Sequence, residues 1–300
     1  MNFTHAIVRP PAANFAEGLT TAELGRPDHS RALQQHEAYC QALEQCGSTL
    51  ITLEPDTKYP DSCFVEDAAL LVNVRGAGSQ PILMRPGAQS RLGEIETIRA
   101  VLNDVLPEQT VKEISSPGTV DGGDICEAGD HFFIGISERT NEVGARQLAA
   151  LLEACGYGST IVSTGGLAGV LHLKSGIAYL GDNRLVVIDA LAEREEFADY
   201  ELVRVAAGEE YAANCVRVND QVLIARGYPA LETHLNQLGY RAMALDMSEF
   251  QKMDGGLSCL SLRFLQAGSG LRYYDSLLES PFIPRTLENQ AAREVRIVRS

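Results

Sequence analysis

The sequence predicts an α/β protein made from five copies of one small unit, a β-hairpin followed by a helix and a third strand, closed into a ring by the two chain ends. Three observations carry this. The order hairpin, helix, strand recurs along the 300 residues. The polar residues that open the hairpins, Glu66, Asp121, His172, Asn214 and Cys259, follow one another at intervals of 55, 51, 42 and 45 residues. The N-terminal strand–helix–strand has no hairpin before it, whereas the last hairpin has no clear helix and strand after it, so joining the ends completes a fifth unit. Identity between the units is negligible. A plain α/β domain is therefore the architecture that pattern alone leaves open.

Each element follows from local pattern. Residues 6–8 and 50–53 read as strands around a helix over 28–46, where Asp28 or Ser30 caps, Leu33, His36, Tyr39, Cys40 and Leu43 recur at helical spacing, and Gly47 stops the helix. The apolar run 64–74 reads as a strand returning at 82–84. A second helix over 92–106 carries Ile95, Ile98, Val101, Leu102 and Leu106 on one stripe, and a strand at 111–114 follows. The second round pairs 125–126 with 132–136, then a helix over 141–155 capped by Asn141 and a strand at 160–163. The third pairs 170–180 with 185–188 around Gly181-Asp182-Asn183, with a weak helix near 191–197 and a strand at 202–205. The fourth pairs 213–218 with 222–225, then a helix over 229–238 and a strand at 241–245. Residues 76–80 and 165–169 read as surface loops. Residues 1–265 form one domain. Residues 266–300, with Arg285, Arg293, Arg296 and Arg299 among apolar residues and a helix near 286–297, read as an appended segment.

Composition narrows the function. Twenty-five basic against 40 acidic residues give a net charge of −15, the opposite of a nucleic-acid-binding footprint. No run of about 18 apolar residues spans a membrane, and residues 1–30 hold no secretory core. Seven cysteines, an odd number without tight spacing, point to a reducing, cytoplasmic setting. Dinucleotide, P-loop and zinc motifs are absent. In a ring, the hairpin-opening positions converge on the axis, so Cys259, His172 and carboxylates from Glu66-Asp67 and Asp121-Gly122-Gly123-Asp124 share one pocket. That set suits nucleophilic catalysis: a thiolate attacks, a histidine moves protons and a carboxylate orients the ring. Taken singly, each residue also has an ordinary reading, a buried thiol or a core histidine.

Longer stretches then resemble a known family. Asn14-Phe15, Gly18-Leu19, Tyr59-Pro60-Asp61-Ser62-Cys63-Phe64-Val65-Glu66-Asp67, Arg85-Pro86-Gly87-Ala88-Gln89-Ser90-Arg91, Gly118-Thr119-Val120-Asp121-Gly122-Gly123-Asp124, Arg139-Thr140-Asn141, Leu171-His172-Leu173-Lys174 and Met253-Asp254-Gly255-Gly256-Leu257-Ser258-Cys259 resemble, in colinear order, the dimethylarginine dimethylaminohydrolases. The resemblance implies a five-bladed α/β-propeller (pentein) of ββαβ units. It also implies hydrolysis of Nω-methylated arginines to citrulline and an amine, with no metal or organic cofactor. Cys259 is then the nucleophile, His172 the proton carrier and Asp121 its carboxylate partner, where some relatives have Glu. Asp61, Glu66 and Asp67 match the positions that hold the guanidinium, Arg91 and Arg139 those that hold the α-carboxylate. Leu19 matches a lid residue, and Met253 a position whose backbone reaches substrate. The expected partner is a small methylated arginine, not nucleic acid or membrane, and assembly into a homo-oligomer is compatible with the chain. Arginine deiminases, agmatine deiminases and amidinotransferases share this site, and a catalytically silent arginine-analogue binder is the alternative from another class.

Overall fold

The computed structural model describes residues 2–266 apart from Ala168. Strand β1 (His5–Val8) leads through α1 (His29–Gln45) to β2 (Thr49–Thr52), which runs parallel to it, as a strand–helix–strand crossover requires. Asp28 caps α1 by accepting from Arg31 N at 2.8 Å. Ala32, Gln35, His36, Tyr39, Ala42 and Leu43 form its buried face, at the three- and four-residue spacing that the sequence shows.

Three further units repeat one plan. They are β3 (Ala69–Val74), β4 (Gly78–Leu83), α2 (Ile95–Val105) and β5 (Lys112–Glu113); β6 (Ile125–Ala128), β7 (His131–Ile136), α3 (Glu142–Ala154) and β8 (Gly158–Ser163); and β9 (Ile177–Gly181), β10 (Arg184–Val187), the short α4 (Asp189–Ala192) and β11 (Glu201–Arg204). β12 (Val216–Val218), β13 (Gln221–Ala225), α5 (Pro229–Gln237) and β14 (Arg241–Leu245) make the next, followed by α6 (Ser248–Gln251) and β15 (Ser261–Phe264). In each sheet the middle strand pairs antiparallel with one neighbour and parallel with the other, giving five three-stranded sheets. β15 pairs antiparallel with β1, so the chain ends complete the fifth blade: the molecule is a five-bladed α/β-propeller.

One difference from the sequence pattern recurs. The apolar runs 64–74, 170–180 and 258–264 are not continuous strands: each contains a 3-10 turn ahead of its strand, Val65–Ala68, Leu173–Ser175 and Ser258–Leu260. The turn Glu210–Ala213 precedes the run 213–218, which is strand only over Val216–Val218, and Gly122–Asp124 is the fifth. These turns pack against one another around the centre of the ring. The turns of the first and last of these runs are almost entirely buried and lead straight into apolar strand residues, so a short run does not reveal which backbone it adopts. The loop expected at 76–80 shrinks to a tight turn, Gly78–Gln80 having joined β4.

Buried apolar side chains fill the seams between blades and helices. Val72, Ile82, Phe132, Ile134 and Leu148 belong to one such cluster, Phe133, Leu180, Val186, Phe197 and Ile224 to another. Phe15, Phe64 and Phe250, with ring centres 5.5–6.3 Å apart, tie together three segments that carry site residues. No helix among the described residues is long and apolar enough to cross a membrane. All seven cysteines are unbridged. The segment expected at 266–300, beyond Gln266, lies outside the described residues.

Candidate active site

The 3-10 turns pack together at the ring's centre, and Asp121, His172 and Cys259, at or beside three of them, line one cleft. Cys259 sits within the turn Ser258–Leu260. Asn214, the opening residue of the preceding unit, fixes that turn: its Oδ1 accepts Ser258 N at 3.0 Å, and its Nδ2 donates to Ser258 Oγ and to Lys174 O. A side chain on Gly256 would collide with Asn214, its Cβ falling 2.4 Å from Oδ1.

His172 stands just before the turn Leu173–Ser175, its Nε2 3.3 Å from Asp121 Oδ2. The other carboxylate oxygen of Asp121 accepts Gly87 N at 2.8 Å. A Cβ on Gly123 would lie 2.7 Å from His172 Nδ1, so the glycine lets backbone and imidazole approach closely. Asp124, fully buried, accepts Leu173 N, Ser137 Oγ and Thr140 Oγ1 and thereby locks the histidine's turn to the next hairpin.

The same cleft is bordered by Leu19, Asp61, Asp67, Arg91, Arg139 and Met253. Asp67 accepts Arg91 Nη1 at 2.6 Å and Gly123 N at 2.8 Å. Asp61 accepts Leu19 N at 3.0 and 3.2 Å. Arg139 makes no side-chain hydrogen bond to any described residue, which leaves its fork of donors available to an anion. One donor atom each from Asp67, Asp121 and His172 lies within 4.8 Å of the others, a spacing that also suits a metal ion. These carboxylates are already engaged by Arg91, Gly123 N, Gly87 N and His172, so the cluster is paired within the protein.

Burial sets the protonation states. It pushes the Cys259 thiol up, the charges of Asp67 and Glu66 push it further, and the result is about 12. Burial opposes a charged His172, but the hydrogen bond to Asp121 and the charges of Asp124 and Asp67 outweigh it and hold the imidazole at about 9. Burial also opposes ionisation of Asp67, yet Arg91 brings its carboxyl down to about 2. Asp61 is pushed up by burial against the pull of Arg91 and the Leu19 amide.

The His172 shift has a measurable consequence. A histidine raised from its ordinary 6.5 to about 9 binds its proton more tightly in the folded than in the unfolded chain. Its stabilisation is therefore complete below pH 6.5 and is lost as pH rises through 9. Urea midpoints should fall between pH 6.5 and 9, and His172→Gln should flatten that part of the curve. An equal slope in the variant would remove His172 as the cause.

Nine of the ten residues expected from sequence border this cleft. Glu66 does not. Within the turn Val65–Ala68 the adjacent side chains of Glu66 and Asp67 diverge, and Glu66 lines a separate cavity of about 110 Å³. There its Oε1 holds Lys174 Nζ at 2.6 Å and Arg263 Nη2 at 2.9 Å. Its charge reaches Cys259, but its carboxylate is held by two cations and not by the cleft. Arg91 is a second departure. Glu94, Asp67 and the carbonyls of Asp61 and Phe64 take all but one of its donors, a single Nη1 hydrogen. Its main work is to clamp Asp67. Glu94 and Asn214 support the site without having been singled out for it, whereas Asp124, expected among the carboxylates of the shared pocket, does not border the cleft and instead holds the histidine's turn. The one trace of Glu94 in the sequence is its place three residues after Arg91, and that of Asn214 its place in the repeat.

A five-bladed α/β-propeller whose axis holds a cysteine, a histidine–carboxylate pair and further acids defines a guanidine-modifying enzyme. No family model matches the chain. A search of curated proteins finds the N(G),N(G)-dimethylarginine dimethylaminohydrolase of Pseudomonas aeruginosa, 45% identical over 262 residues that cover 87% of this chain and all of the relative. A crystal structure of that organism's enzyme, a cysteine-to-serine mutant complexed with citrulline, superposes with a TM-score of 0.83 at 44% identity, over 88% of this chain and all of the other. The N-terminal domain of a cyanobacterial arginine dihydrolase matches with a TM-score of 0.75 at 19% identity, over 86% of this chain and 97% of its own, and shares the fold alone. The chain belongs to the dimethylarginine dimethylaminohydrolase family.

Proposed function

We propose that this protein hydrolyses Nω-methylated arginines to citrulline and methylamine or dimethylamine, with Cys259 as nucleophile. The observation that supports this best is the cleft's two kinds of charge. Asp61 and Asp67 line it with Cys259 and His172, and Asp67 acts on both of the latter, while Arg139, whose charge also reaches Asp61, carries a guanidinium that makes no side-chain hydrogen bond among the described residues. A substrate that is a guanidinium at one end and a carboxylate at the other satisfies both.

The reaction follows from the protonation states. An arginine guanidinium is cationic throughout the working range, and beside Cys259 it offsets the Asp67 and Glu66 charges that keep the thiol protonated. The thiolate adds to the guanidinium carbon. As the carbon–nitrogen bond to the methylated nitrogen breaks, His172 gives that nitrogen its proton, and the amine leaves an S-alkylthiouronium on Cys259. Water then passes a proton to His172 and adds to the same carbon. The carbon–sulfur bond breaks as the added hydroxyl becomes the carbonyl of citrulline; the hydroxyl's proton goes to solvent, where the released amine takes one up, and the thiolate is restored. Asp121 keeps the imidazole charged and oriented, with Asp for Glu sufficing because Nε2 already lies 3.3 Å from it. Residues 1–265 are the catalytic domain, 266–300 an extension, and a cytoplasmic setting fits seven free thiols.

The test is product formation from asymmetric dimethylarginine, monomethylarginine, arginine and agmatine in parallel, following citrulline, carbamoylputrescine and the released amine. Turnover of the methylated arginines supports the reading. Turnover of arginine or agmatine with ammonia release would assign the site to a deiminase instead. Absence of any turnover would favour a silent binder.

A further inference from the structure

Three turns at the ring's centre stand between the cleft and the separate cavity that Glu66 lines. At each of them one residue borders the cleft and a near neighbour borders the cavity: Asp67 and Glu66, His172 and Lys174, Cys259 and Ser258. On the cavity side a single chain of charged contacts joins the three. Glu66 Oε1 accepts Lys174 Nζ at 2.6 Å and Arg263 Nη2 at 2.9 Å. Arg263 Nη1 in turn donates to Ser258 O at 3.2 Å, Ser261 O at 3.0 Å and Ser261 Oγ at 2.6 Å. One guanidinium thus holds a carbonyl on each side of Cys259.

That hold complements the one from Asn214. Asn214 takes the turn by the amide and hydroxyl of Ser258, whereas Arg263 takes it by the carbonyls of Ser258 and Ser261. A 3-10 turn of three residues has weak bonds of its own, so these side chains decide where the thiol stands. Ser261 is fully buried and its hydroxyl lies 2.6 Å from Tyr39 Oη, which fixes the far end of the hold. The side chains of Arg263 and Glu66 are 12% and 8% exposed. Ion pairs this buried often add no net stability over apolar residues of the same shape, so stability does not account for a guanidinium at this place. Geometry does: the rigid fork engages carbonyls and a carboxylate at once, which the point charge of a lysine does less well. Arg263 borders the cavity and not the cleft, and it donates to none of Asp61, Asp67 or Arg139.

We propose that Arg263 is a positioning residue for the hydrolysis: it fixes the carbonyl side of the Cys259 turn and, through Glu66 and Lys174, sets that turn against the one that follows His172. The inference deepens the proposed function and rests on it. Thiol and imidazole act on one carbon–nitrogen bond, so their separation enters kcat. The groups assigned to binding are held by other contacts, so KM does not follow.

The experiment compares Arg263→Met and Arg263→Lys with the wild-type protein, each as the full chain. It measures kcat and KM for asymmetric dimethylarginine, the affinity for citrulline, and amide hydrogen exchange, which needs no turnover. Arg263→Met deletes the hold but leaves Lys174 to pair with Glu66. It should lower kcat about 30- to 100-fold, the scale for a misplacement of about 1 Å, with KM and citrulline affinity within about threefold of wild type. Amides of residues 258–261 should exchange about tenfold faster or more, because hydrogen bonds from a charged donor are lost. Those of α3, in another blade, should keep their rates. Arg263→Lys keeps a charge beside Glu66 without the fork, and its kcat should fall about tenfold, the equivalent of one modest hydrogen bond. Should Arg263→Met not fold, Arg263→Lys decides, and a wild-type kcat there overturns the proposal. Wild-type kcat in Arg263→Met also overturns it. So does a loss of citrulline affinity equal to the loss of kcat, or faster exchange in every blade, either of which would make the residue a support of the fold. Should the wild-type protein turn over no methylated arginine, the functional reading falls and exchange alone decides: unchanged rates at 258–261 refute the hold on the turn, and faster rates confined there sustain it.

Discussion

Cys259→Ser is expected to lower citrulline formation by about 10³-fold or more, the scale of loss when a nucleophile that acts in concert with its proton carrier is removed. The serine hydroxyl is a far weaker acid than a thiol, and the bound cation that brings a thiol within reach of ionisation does not do so for an alcohol. The binding groups are untouched: Asp61, Asp67 and Arg139 belong to other segments, so affinity for citrulline should be retained. Acid quenching of the wild-type enzyme during turnover should leave a mass increment on the peptide containing Cys259, and the serine variant should show none. Cys63 supplies the control. It is buried near Asp61 and Arg91, and burial together with the Asp61 charge drives its thiol well above the ordinary range, so Cys63→Ser should keep turnover. Loss of activity in Cys63→Ser with retention in Cys259→Ser would exchange the two roles and refute the mechanism.

The ring was legible in the sequence because it rests on long-range order. Helices with apolar stripes, such as Leu148 and Leu152 on α3 or Ile98 and Leu102 on α2, announce their buried faces, and two incomplete chain ends admit one joining. Of the two candidates, Asp28 caps the first helix, and Asn141 caps α3 at the position where the sequence begins that helix. The site was legible where it depends on residue type, since cysteine, histidine and aspartate at equivalent positions of a ring have to meet. Direction was not legible. Glu66 and Asp67 are chemically near-identical neighbours, and only the 3-10 turn, with Lys174 and Arg263 behind it, sends one carboxylate away from the cleft. Arg91 likewise reads as a free cation until Glu94, which looks like any first-turn acid, folds back onto it. Pairing between buried charges is decided in three dimensions, and a linear pattern carries little trace of it.

Those pairings make Asp67 the most informative residue to neutralise. Asp67→Asn keeps the shape and an acceptor for Gly123 N, but removes the charge that faces Arg91 and that a bound guanidinium would meet. Removing one charge of a buried pair costs about 2–5 kcal/mol, so kcat/KM for a methylated arginine should fall by about 10²-fold or more. The thiol should respond in the opposite sense. The Asp67 charge is the largest electrostatic cause, after burial, of the raised Cys259 value of about 12. Without it the thiolate becomes more accessible at a fixed pH of about 8.5, and alkylation by neutral iodoacetamide should quicken. His172 also loses one of the charges that hold it near 9, so the stability lost as pH rises above 6.5 should be smaller and the loss should end at a lower pH. A faster thiol in a slower enzyme separates two roles that a simple loss of activity would merge: restraining the nucleophile in the empty site, and recognising the cation that releases it. Partial unfolding would expose the other six cysteines as well, so labelling must stay confined to Cys259. If alkylation and turnover fall together, Asp67 serves only to hold the fold, and the guanidinium would have to be held mainly by Asp61.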